Sequence, residues 1–145
     1  MLDFPPSPPA DTITILLIDG NGEDRDYFAH RLNICTPDCV VIQAATGGYG
    51  LALCDAQKID CVVLELDLPD MPGFEVLATL VQMVKSPAMP VIVLTKLTDS
   101  SLLELAIKNG AQAAFQKSRT SGDILDKAIV KAIATIQQKN KTTRQ

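Results

Sequence analysis

Tryptophan is absent, and aromatic residues make up only 4% of the 145 positions. A core without large rings has to be aliphatic. With 47% of residues apolar, Ile, Leu, Val and Ala are numerous enough to build one. Basic residues are too few for a nucleic-acid surface. Thirteen Lys and Arg stand against seventeen Asp and Glu, a formal charge of −4, whereas phosphate contacts need clustered cations. Lys139, Lys141 and Arg144 form the one basic run, and it reads as a solvated helix end. There is a single histidine and no Cys-x-x-Cys pair, which argues against structural zinc. Cys35, Cys39, Cys54 and Cys61 therefore read as buried free thiols of a reducing compartment. No run is long enough to cross a membrane, and no basic segment precedes an apolar one as in a secretory signal. These absences predict a cytoplasmic protein with neither a membrane nor a nucleic acid as partner.

What is present is a regular alternation. Residues 1–11 hold four prolines, which block helix and central strand alike and predict a flexible or polyproline-like leader. Strands are expected at 13–18, 39–44, 60–66, 91–95 and 113–116. Each is a short apolar run, as in strands covered on both faces. Helices are expected at 23–34, 48–56, 74–84, 100–108 and 123–138, and Asn109-Gly110 gives the fourth a stop signal. Ile129 and Ile133 fall on the core side of the last helix, with Lys127 and Lys131 facing out. Residues 12–138 thus read as one domain and 139–145 as a polar tail. Five strands alternating with five helices imply a three-layer, doubly wound parallel sheet with right-handed crossovers.

Such sheets bind ligands beyond the carboxyl ends of their strands. The residues there are Asp19, Glu65, Thr95 and Lys117: two carboxylates, a hydroxyl and an ammonium. His30, on an amphipathic helix, reads as a surface residue. Gly20 and Gly22 suggest a dinucleotide loop, but the third glycine is missing. No acidic residue ends the second strand either, at Ala44-Ala45, so that reading is set aside. A flavodoxin-like flavin binder shares the layer architecture and stands as a rival, although no Trp is there to cover a flavin.

Four fragments, in order, resemble the receiver domain of two-component response regulators: ILLIDGNGEDR, VVLELDLPDMPGFEVL, PVIVLT and NGAQAAFQKS. The resemblance covers residues 12–138 and implies a flavodoxin-like sheet of strand order 2-1-3-4-5. It also implies phosphorelay signalling without enzymatic turnover. In that family an aspartate four residues before the loop proline accepts a phosphoryl group from a kinase histidine. Counting back from Pro69 reaches Glu65. By the same resemblance Asp19 is the acidic-pocket residue, Thr95 the switch hydroxyl and Lys117 the family lysine.

Three departures accompany it. The second acidic position is Gly20, the aromatic expected three residues before the lysine is Ala114, and Ser118 follows the lysine in place of proline. Mg²⁺ takes one or two carboxylates plus phosphate oxygens. Binding through Asp19, Glu65 and Asp67 is accordingly expected to be weak, and no other cofactor is expected. The extra methylene of Glu65 moves its carboxylate by about 1.5 Å. An error of about 1 Å can cost on the order of 10²-fold in a reaction needing in-line geometry. The expectation is a receiver that works as a protein-interaction module, with weak phosphorylation on Glu65 or Asp67 as the alternative. Implied partners are a sensor histidine kinase or other signalling protein and a fused or separate output domain. A second copy meeting the fourth helix, fifth strand and fifth helix is also implied.

Overall fold

The computed structural model describes residues 3–9, 11–36, 38–83 and 89–143, with side chains up to 138. Five strands form one parallel sheet in the order β2-β1-β3-β4-β5. They are β1 (Ile13–Ile18), β2 (Cys39–Ala44), β3 (Cys61–Leu64), β4 (Val91–Thr95) and β5 (Ala113–Gln116). Five helices alternate with them: α1 (Gly22–Cys35), α2 (Gly47–Ala56), α3 (Gly73–Gln82), α4 (Ser100–Lys108) and α5 (Gly122–Thr143). The three layers are those the alternation predicts, and the strand order is the one the family resemblance implies.

Strand parity divides the core. Leu16, Ile18, Val62, Leu64, Val91 and Val93 point to one face, where Leu53 of α2, Leu77 of α3 and Ala106 of α4 cover them. Ile15, Leu17, Val63, Ile92 and Leu94 point to the other, under Phe28 and Leu32 of α1 and Leu125 and Ile129 of α5. Because both faces are covered, the central strands are apolar throughout rather than alternating. In α5, Ile129 is buried as expected, whereas Ile124 lies 45% exposed.

Caps set several helix ends. Asn21, Thr46 and Asp99 accept main-chain N–H bonds at the starts of α1, α2 and α4. Gly110 closes α4 at φ 110°, a left-handed conformation that glycine adopts without a side-chain clash. Cys39, Cys54 and Cys61 are buried and Cys35 is half-buried, and none of the four forms a disulfide. Burial raises the Cys61 thiol far above its ordinary range.

Two boundaries at described positions differ from expectation by more than one residue. β3 stops at Leu64 rather than 66, because the N–H groups of Leu66 and Asp67 turn to the Glu65 carboxylate. α5 continues to Thr143, so residues 139–143 are helical where a tail is expected. The side chains of Lys139, Lys141 and Arg144 lie outside the described ones, as does the expected helix end at 84. Residues 3–9 carry no regular structure, yet they rest against α2, with the Phe4 and Tyr49 rings stacked.

Candidate functional site at the carboxyl ends of the strands

Asp19, Glu65, Thr95 and Lys117 all come to one rim, because parallel strands deliver their last residues to the same edge. Glu65 is 2% exposed, yet its N–H still pairs with the Ile18 carbonyl at 2.9 Å. Both carboxylate oxygens are fully used. Oε2 accepts from the N–H groups of Leu66 at 2.7 Å and Asp67 at 3.1 Å. Oε1 accepts from the Lys96 N–H at 3.0 Å and lies 3.1 Å from Lys117 Nζ. Three main-chain donors and one ammonium thus converge on one anion, the arrangement that compensates a buried charge.

Lys117 opens a single 3-10 turn, Lys117–Arg119, after β5. Its ammonium reaches Asp19 at 2.5 Å and Asp24 at 2.8 Å as well as Glu65. Burial alone would lower its pKa. Hydrogen bonds to Asp19 and Asp24, with the charges of Asp19 and Glu65, outweigh burial and push it up. Asp19 in turn accepts the Asn21 N–H at 2.9 Å.

Thr95 is fully buried, and its Oγ1 accepts the Leu97 N–H at 3.1 Å. Among the described residues no hydrogen bond joins it to Glu65, so here the hydroxyl caps the loop after β4. Asp67, placed with Asp19 and Glu65 as a candidate metal ligand, instead pairs with Lys96 Nζ at 3.0 Å. No group of three or more His, Cys, Asp or Glu side chains is placed to hold a metal among the described residues. Gly20 faces Pro69: a Cβ built there would lie 2.9 Å from Pro69 Cδ. An open cavity of about 340 Å³ lies over this rim, between Asp19, Asn21, Asp67, Pro69, Lys96 and Lys117.

Three contributors escape sequence reasoning. Asp24 sits in the first turn of α1, where a carboxylate reads as a routine helix-start charge. Lys96 acts through its main-chain N–H, which residue type does not reveal. Asp70 accepts from the N–H groups of Gly47 and Gly48 at 2.9 Å each, tying the β3–α3 loop to α2.

A five-stranded parallel sheet with acidic and basic groups converging at its carboxyl edge defines a doubly wound α/β domain. Residues 15–129 match the response regulator receiver domain family, and the chain belongs to that family. It is 38% identical over 97 residues to the transcriptional regulatory protein KdpE of Mycobacterium tuberculosis, covering 67% of this chain and 41% of that protein. It is 30% identical over 121 residues to the nitrate/nitrite response regulator protein NarL of Escherichia coli, covering 83% of this chain and 55% of that one. The chain therefore spans about half the length of these relatives or less. Among solved structures, a CheY-like receiver domain from Methanospirillum hungatei superposes with a TM-score of 0.79 at 23% identity, over 89% of this chain and 99% of that one. Family membership decides against the flavin-binding rival. No helix among the described residues is long and apolar enough to cross a membrane.

Proposed function

We propose that this chain is an atypical receiver that signals as a protein-docking module without ordinary phosphoryl transfer. Glu65 takes the acceptor position. The observation carrying this reading is that both its oxygens are already bonded, two donors to each, inside the fold. A carboxylate that accepts a phosphoryl group needs an oxygen free to attack in line. Here none is free. The same donors would be needed to hold the oxygens of an incoming phosphoryl group, and Glu65 engages them first. As a stand-in it is partial, since it has two acceptor oxygens against the three of a phosphoryl group and less charge.

Mg²⁺, which the family implies, does not fit this donor set. Gly20 offers no carboxylate, and Pro69 takes the space where its Cβ would go. Asp19 and Glu65 already share the Lys117 ammonium. Partners follow from the family: a histidine kinase or other signalling protein upstream, an output domain in the same or another chain, and a second copy on the α4–β5–α5 face. The setting that suits them is the cytoplasm.

Incubation with acetyl phosphate and Mg²⁺, followed by intact-mass measurement, tests the reading. The expected result is unmodified protein. Stoichiometric phosphorylation mapped to Glu65 would overturn it, and so would phosphorylation of the half-exposed Asp67.

A further inference from the structure

Through Asp3, Phe4 and Pro5 the leader makes three contacts with α2 and the residue that follows it. The Tyr49 hydroxyl donates to the Asp3 carbonyl at 2.8 Å. The Phe4 ring stacks on the Tyr49 ring, centroids 6.0 Å apart and planes 20° from parallel. Gln57 Nε2, just past the helix end, donates to the Pro5 carbonyl at 2.6 Å. A turn with the Thr12 N–H on the Pro9 carbonyl, at 3.0 Å, then carries the chain into β1.

These contacts share one chemistry. A proline-rich stretch has few N–H groups, so its carbonyls can be satisfied only by donors from elsewhere. It is stiff before it binds and loses little entropy on docking. Surfaces that recognise it combine an aromatic face with side-chain donors aimed at those carbonyls. Tyr49 and Gln57 supply both. The helix suits the role, since in GGYGLALCDA Asp55 is the one charged residue. Tyr49 is itself seated on the core, which fixes its ring.

We propose that the outward side of α2 is a docking site for an extended proline-rich segment, and that residues 3–9 of the same chain occupy it. The site lies away from the Glu65 rim and owes nothing to how that rim works. A partner using it would have to bring an extended segment of similar kind and displace the leader. The connection to β1 is short, so the leader's effective concentration at α2 is on the order of millimolar. An outside segment competes against that.

Two measurements on the full chain test this by amide NMR. In the native protein, Phe4 and Ser7 amides should be as ordered as those of the sheet, and Tyr49→Ala with Gln57→Ala should release them. Next, a synthetic peptide of residues 1–11 is titrated into a variant with Phe4→Ala, Pro5→Gly and Pro6→Gly. Saturable shifts confined to residues 46–58 are expected, with roughly tenfold more peptide needed for the native chain. Phe4 and Ser7 amides equally mobile in native and Tyr49→Ala, Gln57→Ala proteins would overturn the proposal. A peptide that shifts nothing in 46–58 of the leader variant would overturn it too, as would concentration-dependent dimerisation through the same contacts.

Discussion

Lys117 brings one cation to three carboxylates of this rim. One ammonium, 10% exposed, compensates Asp19, Asp24 and Glu65 at once. Removing one member of a buried pair costs about 3–5 kcal/mol, because the remaining charge is left uncompensated. Lys117→Met should lower the stability measured by urea unfolding by an amount in that range. The same variant leaves three carboxylates without a counter-ion, and millimolar Mg²⁺ or Mn²⁺ should then raise its melting temperature while leaving the native protein's unchanged. A variant indifferent to both cations would show that the carboxylates do not converge once the lysine is gone. The pH sign is set by the raised pKa of Lys117. A raised folded-state pKa gives stability that is complete below the unfolded value, about 10.4, and is lost as pH rises through the folded one. The stability gap between native and variant proteins should therefore stay level through neutral pH and narrow only under strongly alkaline conditions.

α2 is held from outside itself. Three glycines, Gly47, Gly48 and Gly50, make it a poor helix by propensity. Its first turn gains Thr46 as a cap and the Asp70 carboxylate on two further N–H groups. The Gly48 and Gly47 N–H bonds hold the Asp70 carboxyl below its usual range. Asp70→Ala should cost about 1 kcal/mol, the size of a lost helix cap. Since the folded-state pKa is depressed, that contribution is present above the ordinary carboxylate value and disappears as pH falls through the folded one. Melting curves of the two proteins should converge in acid, and a constant gap down to low pH would contradict the cap. The sequence shows α2 but not this clamp, and the reason is physical. Strand and helix positions are written in local periodicity, so β1, β2, β4, β5 and α4 are legible residue for residue. Asp70 acts on residues 22 and 23 positions away, and Lys117 on Asp24 across 93, through loop geometry that no local pattern encodes. The end of β3 is hidden for a similar cause: a side chain competes with the ladder for two N–H groups.

At the scale of the whole molecule the question is whether the rim can move the α4–β5–α5 face. A two-state element needs contacts that differ between its states. Thr95 and Gln116 are register partners, and the Gln116 amide donates to the Thr98 carbonyl at 2.9 Å. With Thr95 also capping Leu97, the loop after β4 is held at both ends. Ala114, on the same face of β5, packs with Leu97 and Leu102 against the core and offers no large side chain to exchange places with the Thr95 hydroxyl. Acceptor chemistry and switching can therefore be separated by mutation. Glu65→Asp shortens the side chain and should free the Leu66, Asp67 and Lys96 N–H groups, while Lys117 stays on Asp19 and Asp24. Beryllofluoride is then expected to bind this variant on the freed donors, and is not expected to bind the native protein. Amide shifts should stay near residues 65–67, 96 and 117 and should not spread through α4, β5 and α5. Adding Ala114→Tyr supplies the missing side chain, and shifts in the double variant should extend across residues 97–131. Widespread shifts in Glu65→Asp alone would mean that the face responds without an aromatic on β5, and the separation of acceptor chemistry from switching would have to be abandoned.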